Sequence, residues 1–304
     1  MYGMKFSIIQ RRYWFFALSL LIILPGLFSM ATQGFNLGID FTGGTLLDIK
    51  FAKPVTVSQI REVLQDYKLE NSVIQLASSE KTDAAPNVLI RTHVLNETER
   101  KAVLDGFTAK IGTFDIMRIE KVGAVIGAEL ARESVIALIL SWLVMIAYIS
   151  YRFEYRFGVS GILALIHDVF VVLGIFSMLQ KEIDASFVAA LLTIVGYSIN
   201  DTIVIFDRIR ENMKSMKKGE NLGDMVDRSI WQTMARSIYT VLTVLFATGA
   251  LHFLGGETTK NFSLALLIGF TSGMYSSIFN ASPIWYMWKE HDERKRLANR
   301  TRPA

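Results

Sequence analysis

An aspartate inside a stretch apolar enough to cross a bilayer is the residue best placed to do chemistry in this sequence. Residues 191–212, LLTIVGYSINDTIVIFDRIREN, hold Asn200 and Asp201 in such a run. Burying a carboxylate there costs at least about 2.5 kcal/mol on insertion scales, so it persists where something uses or neutralises it, and intramembrane acids commonly mark proton or ion paths. At a rise of ~1.5 Å per residue, Asp201 lies roughly 9 Å deeper than Asp207, below the headgroups. Tyr197, Asp201 and Arg208 fall near one helical face, with Gly196 and Asn200 on the adjoining stripe, so the polar groups are expected to face a partner helix. The competing reading is a neutral or hydrogen-bonded aspartate that only locks helix packing.

Three further residues belong to the same chemistry. Arg236 opens the next apolar block, with Thr240 and Thr243 at i+4 and i+7. Consecutive spans run antiparallel, so Arg236 can approach Asp201 from the same side of the membrane. Either the two pair, and protonation of Asp201 releases Arg236, or Arg236 is a positive anchor at the membrane edge. His167 and Asp168 lie inside the third block, pointing ~100° apart as helical neighbours, which predicts that they do not form one joint site. Each serves a proton relay or helix packing. A small-residue ridge, Gly269, Gly273 and Ser277, beside Ser272, Ser276 and Asn280, reads first as close packing and second as the lining of a wet path. Gly123 and Gly127 have the same spacing but precede the second block.

Other chemistries find no support. There is no cysteine, so disulfides and thiolate sites are excluded. No GxxxxGK[ST], HExxH or GxSxG occurs and the four histidines, His93, His167, His252 and His291, are dispersed, so no metal site, nucleotide hydrolysis or serine catalysis is expected. An intramembrane aspartyl hydrolase, built on Asp168 and Asp201, lacks companion motifs. Work must be powered from elsewhere, and one charge moving down the membrane potential supplies ~2.3 kcal/mol per 100 mV, enough to bias a two-state equilibrium more than tenfold.

The elements that must position these residues are membrane spans. The 304 residues are 51% hydrophobic, in blocks, which describes a polytopic membrane protein. Six blocks are long enough to span: 13–30, 135–151, 157–179, 185–206, 237–254 and 262–287. The first, with Pro25 expected to bend it, resembles a secretory signal, but at 18 residues it exceeds the usual h-region of about 7–15 and reads as an uncleaved helix. The net charge of +4 sits in short basic segments beside the blocks, which argues for orientation in a membrane and against a nucleic-acid partner. Eighteen Lys and Arg, counting Lys5, Lys218 and Arg302, fall on one side in the termini and short loops, against Lys181 and Lys260 on the other. Both termini are therefore expected inside and the long segment after the first span outside. In the inside loop, 207–236, Leu222, Met225, Val226 and Ile230 predict a short helix on the membrane surface.

That outer segment, 32–132, has the periodicities of a folded α+β domain between the first two spans. Leu47, Ile49 and Phe51 alternate with Leu46, Asp48 and Lys50, and Val88, Ile90 and Val94 with Leu89, Arg91 and His93, as half-buried strands do. Residues 72–77 and 114–122 supply two more strands, and 79–86 a loop. Thr56 with Gln59 and Asn96 with Glu99 form capping boxes that open two amphipathic helices. The order strand, helix, strand, strand, helix, strand is the split βαβ arrangement of ferredoxin-like domains. The chain thus divides into 1–31, tail and first span; 32–132, outer domain; 133–288, five spans; and 289–304, a basic inside tail.

Four ordered motifs carry a family resemblance: NLGIDFTGGT at 36–45, VGAVIGAEL at 122–130, YRFEYRFGVSGILALIHDV at 151–169 and GYSINDTIVIFDRIREN at 196–212. They resemble the SecD/SecF family of bacterial protein-export subunits, related to the RND transporters. The resemblance implies an inner-membrane, non-enzymatic accessory subunit that works with SecD beside the SecYEG translocon on an exported, unfolded polypeptide. It also implies a proton gradient as the energy source, in place of a cofactor. The family's coupling aspartate falls on Asp201, its Asn neighbour on Asn200, and the arginine opening the next span on Arg236. The GIDFTGG stretch, Gly38, Asp40, Gly43 and Gly44, is a candidate mechanical junction between first span and sheet, or simply a tight turn. Six spans with one outer domain are half of a pseudo-symmetric twelve-span transporter, so SecD would supply the other half within the lipid. Two other readings stay open: an RND-type exporter of small molecules or lipids, and a non-transporting scaffold.

Overall fold

The structure, a computed structural model, describes residues 6–77, 87–217 and 219–300. The loop expected at 79–86, and Lys5, Lys218 and Arg302 of the charge asymmetry, lie outside the described residues. Two compact units result, Leu37–Val135 and the remainder of the chain on either side of it.

The smaller unit is an α+β fold. After β1 (Asn36–Leu37) and the single turn α2 (Ile39–Thr42) come β2 (Gly44–Phe51), α3 (Val57–Gln65), β3 (Val73–Ala77), β4 (Asn87–Thr92), α4 (Glu97–Lys110) and β5 (Phe114–Val122). The sheet order β3-β4-β2-β5, with every neighbouring pair antiparallel, is that of a ferredoxin-like split βαβ domain. Both helices begin where the sequence places them. The Gln59 N–H donates to Thr56 Oγ1 and the Thr56 N–H to Gln59 Oε1, and the same reciprocal pair joins Glu99 and Asn96. Leu47, Ile49, Val88 and Ile90 from the sheet meet Ile60, Val63, Val103 and Phe107 from the helices, with Phe107 edge-on to Phe51 at 5.9 Å.

Two details differ from the alternation expected. As the central strand, β2 is covered on both faces, so Leu46 and Asp48 are buried along with their neighbours. Val94 lies beyond the end of β4 and is exposed. Leu95 takes the core position instead, because the bend after Thr92 breaks the period of two and lets the Leu95 N–H donate to Thr45 Oγ1.

Among the described residues, six helices are long and apolar enough to cross a membrane. They are α1 (Arg12–Thr32), α5 (Ala124–Arg152), α6 (Tyr155–Met178), α7 (Ala185–Lys214), α8 (Leu222–Leu254) and one rod made of α9 (Glu257–Ser276), a π turn (Ser277–Ala281) and α10 (Ser282–Arg300). The short strand β6 (Glu182–Ile183) precedes α7. Helix α1 runs unbroken through Pro25 and is a full member of the bundle. Ser29 bonds Ser177 at 2.9 Å, Ser19 donates to Asn280 at 3.3 Å, and Gly26 lies directly on Gly174 of α6.

A Cβ on Gly26 would stand 2.7 Å from the Gly174 Cα, a backbone atom with nowhere to go. Gly26→Ala should therefore cost roughly 1–3 kcal/mol by overpacking. Gly249→Ala, at a position with open space, should be harmless by comparison. Thermal unfolding of the detergent-solubilised chain checks this; equal midpoints for the two variants would show that α1 is not held by this contact.

The loop expected at 207–236 is shorter than the charge pattern implies. Helix α7 continues to Lys214 and α8 starts at Leu222, so the expected surface helix is the first part of one 33-residue rod. Its Met225, Val226 and Ile230 are buried against Ile8 and Ile9 rather than laid on lipid. Asp227, only 2% exposed, fastens this arrangement by accepting the Ile8 and Ile9 N–H groups and the Ser7 hydroxyl. At the intervening turn the Glu220 carboxylate is held below its ordinary range, first by the Lys217 N–H at 3.1 Å and then by Arg228 at 2.5 Å.

Candidate functional site

Asp201 projects from the middle of α7 and is 8% exposed. Its Oδ1 accepts the Ser237 hydroxyl of α8 at 2.7 Å, while Oδ2 is buried and meets no hydrogen-bond partner among the described residues. An unsatisfied buried acceptor of this kind costs about 1–3 kcal/mol, so this carboxyl sits where a proton, or a rearranged donor, would lower the energy. Beside it Thr202 and Ser277 share a hydrogen bond of 2.8 Å, linking α7 to the π turn.

Of the two readings of Arg236, an ion pair with Asp201 is not formed among the described residues. Arg236 is exposed and makes no ion pair among the described residues; the adjacent Ser237 turns inward and bonds Asp201 in its place. One helical step of ~100° separates the two side chains, and that step decides which meets α7. Thr240 and Thr243 return their hydroxyls to carbonyls of their own helix. Asn200 and Gly196 fall on an exposed stripe of α7, so Asn200 and Asp201 point to different surroundings. Arg208 does face α8, with Nε donating to Gln232 Oε1 at 2.7 Å, while the Tyr197 ring packs on Phe270 of α9.

A second carboxylate lies in the same bundle. Asp168 of α6 is fully buried and takes four hydrogen bonds: Ser272 Oγ (2.7 Å) and His167 Nδ1 (3.1 Å) at Oδ1, Ser198 Oγ (2.7 Å) and Ser276 Oγ (2.8 Å) at Oδ2. The expectation that His167 and Asp168 cannot share a site is corrected. Their Cα–Cβ bonds do diverge, but the imidazole reaches round to the neighbouring carboxylate. The serine ridge of α9 serves this acid. The glycines provide the close approach, a Cβ on Gly269 falling 2.3 Å from Ile194 and one on Gly273 2.9 Å from Ser198.

In the α+β unit, Gly43 and Gly44 have φ of 69° and 133°, in the region that favours glycine. A Cβ on Gly44 would lie 2.4 Å from the Thr92 carbonyl oxygen of β4, and one on Gly43 2.6 Å from the Ala124 Cα. Gly127 completes the fit, since its Cβ would press on the Gly43 nitrogen at 2.9 Å. Gly38, by contrast, is the extended N-cap of α2 with no need of positive φ, and Asp40 stands in the first turn of that helix.

Fold and site together define a multi-pass helical membrane protein with one ferredoxin-like unit and ionisable side chains sealed inside its bundle. Residues 103–291 match the protein export membrane protein SecD/SecF C-terminal family, and residues 28–55 match the SecD/SecF GG motif, which contains Gly43 and Gly44. The chain belongs to the SecD/SecF family. It is 51% identical over 287 residues to the protein translocase subunit SecF of Acidaminococcus fermentans, covering 94% of this chain and 98% of that one. A SecF subunit of Sebaldella termitidis is 42% identical over 285 residues, 93% of this chain and 92% of that one. The crystal structure of SecDF from Thermus thermophilus, a translocon-associated membrane protein, superposes with a TM-score of 0.85 at 35% identity. That alignment covers 95% of this chain but only 40% of the longer SecDF chain.

Proposed function

We propose that this chain is a non-enzymatic subunit of the bacterial Sec translocase, coupling the proton-motive force to protein export. The observation that carries the coupling is Asp201, a buried carboxyl within an apolar span with one oxygen unpaired. Protons pass through it from outside to inside, and each change of charge alters its bond to Ser237 and hence the fit of α7 against α8. Arg236 acts on it through space. The subunit lies in the inner membrane with both termini in the cytoplasm, as the distribution of Lys and Arg supports, and the α+β unit outside engages the emerging, unfolded chain. Because this chain covers only 40% of SecDF, a SecD partner supplies the rest of that unit beside the SecYEG channel.

The test is export of a secreted reporter in cells depleted of their own homologue and supplied with this chain, with the proton gradient intact or collapsed. Restoration of export only while the gradient stands supports the reading. Restoration that is indifferent to the gradient would favour the scaffold, and proton flux driven by a small molecule without a translocon would favour an exporter.

A further inference from the structure

We infer that His167 is a second proton-accepting group of the bundle, with Asp168 as the positioning residue that holds its imidazole in the working tautomer. The inference rests on the proton-coupled reading and assigns a site within it. The hydroxyls of Ser272, Ser198 and Ser276 are all aimed at Asp168, an arrangement that places its two oxygens as acceptors. The contact with His167 Nδ1 at 3.1 Å is then an N–H donated by the ring. A neutral imidazole has one hydrogen, so its Nε2 carries the lone pair. That Nε2 is buried, in a residue only 9% exposed, and has no hydrogen-bond partner among the described residues. Buried polar atoms left this way are rare and ask for a reason. A base waiting for a proton is one.

The surroundings fit that use. The ring stacks on Tyr275 at 6.0 Å and 25°, and Tyr275 donates its hydroxyl to the Phe15 carbonyl of α1, so the imidazole is held in plane from the α9 side as well. Asp168 on α6 and Tyr275 on α9 are the titratable groups in direct contact with it; α1 offers that carbonyl, and α7 the serine that also holds Asp168. When a hydrated proton reaches Nε2, one N–H bond forms as a water O–H bond breaks, and the new imidazolium lies against an existing carboxylate. Its loss reverses both changes, with no electron transferred.

The two acid sites share a wall. Ser198, bonded to Asp168, and Thr202, bonded to Ser277, are one turn apart on α7, with Asp201 between them in sequence. Across from them, adjacent Ser276 and Ser277 serve Asp168 and Thr202 respectively, at the point where α9 gives way to the π turn. Single π turns recur at functional sites, where the extra residue re-aims side chains. Here the π turn starts at the second of the two serines.

The test uses the full chain in membranes with its partner. Nitrogen-15 NMR of histidine-labelled protein reads each ring's tautomer, and the His167→Asn variant assigns one of only four signals. The expected result is an Nδ1–H tautomer for His167 that becomes mixed in Asp168→Asn. In the export assay at equal membrane levels, His167→Asn keeps an N–H for Asp168 but has no basic nitrogen, and its gradient-dependent export should fall at least tenfold. Native export by His167→Asn while Asp201→Asn is dead would overturn the role of His167 and leave the proton-coupled reading standing. Native export by both variants would sink that reading first. If His167→Asn does not accumulate, an Nε2–H tautomer in the native protein overturns the inference by itself.

Discussion

Asp201→Asn should abolish the gradient-dependent part of export while the chain still reaches the membrane at its native level. Asparagine has nearly the same shape, and its Oδ1 can still accept the Ser237 hydroxyl that now bonds Asp201 at 2.7 Å. The amide nitrogen inherits the unpartnered position of Oδ2, so the shape of the site is preserved while one buried polar group stays unpaired as before. What is lost is the ability to exchange charge for neutrality. One charge crossing ~100 mV supplies ~2.3 kcal/mol, so its removal should lower gradient-driven export more than tenfold. Asp201→Glu keeps the ionisable group one methylene out of place and should restore part of the rate. Reporter export with and without the gradient, normalised to membrane level, separates the outcomes. A variant that fails to accumulate would mark a structural aspartate, and three equal rates would move the scaffold reading to first place.

The burial of Asp201 is legible without a structure because it is written into the flanking sequence: a carboxylate in an apolar run has nowhere else to go. Its partner is not legible. Arg236 and Ser237 are neighbours, and only the rotation of α8, set by contacts from other parts of the chain, decides that the hydroxyl rather than the guanidinium meets α7. The capping boxes at Thr56 and Asn96 are read correctly for the opposite reason, since every atom they need lies within four residues. His167 and Asp168 show where periodicity misleads. Directions of Cα–Cβ bonds describe short side chains well, but an imidazole can span the step between neighbours. The length of the loop after α7 is not legible either, because positive charge marks a membrane edge and says nothing about where a helix stops. Leu222 to Leu254 is one helix that carries Arg228 and Arg236 in its first half without interruption. The π turn at Ser277 has no sequence signal, and follows from packing alone.

Gly44→Ala should be the most damaging single substitution in the α+β unit, followed by Gly43→Ala. Two separable costs fall on each. A side chain at positive φ carries about 1–3 kcal/mol of backbone strain, and overpacking adds roughly 1–3 kcal/mol where the new atom strikes something fixed. For Gly44 that something is the Thr92 carbonyl at 2.4 Å in the adjacent strand, so the alanine pries β2 from β4 at the point where the sheet begins. For Gly43 it is the backbone of α5 at Ala124. Other glycines isolate the terms. Gly112 has φ of 125° but open space, so Gly112→Ala reports strain alone; Gly127 has no positive φ but touches Gly43, so Gly127→Ala reports contact alone. Gly123→Ala meets neither and should be silent. Hydrogen exchange at β2 and α5 in the membrane-embedded chain, read beside steady-state level, should rank the variants Gly44, Gly43, then Gly127 and Gly112, then Gly123. This ranking also decides what the glycine pair is for. A locked turn predicts that loss of export tracks loss of protection across the series. A mechanical junction predicts Gly43→Ala or Gly44→Ala chains that are fully protected and still cannot use the gradient, because the freedom of the glycine hinge, and not the fold, has been taken away.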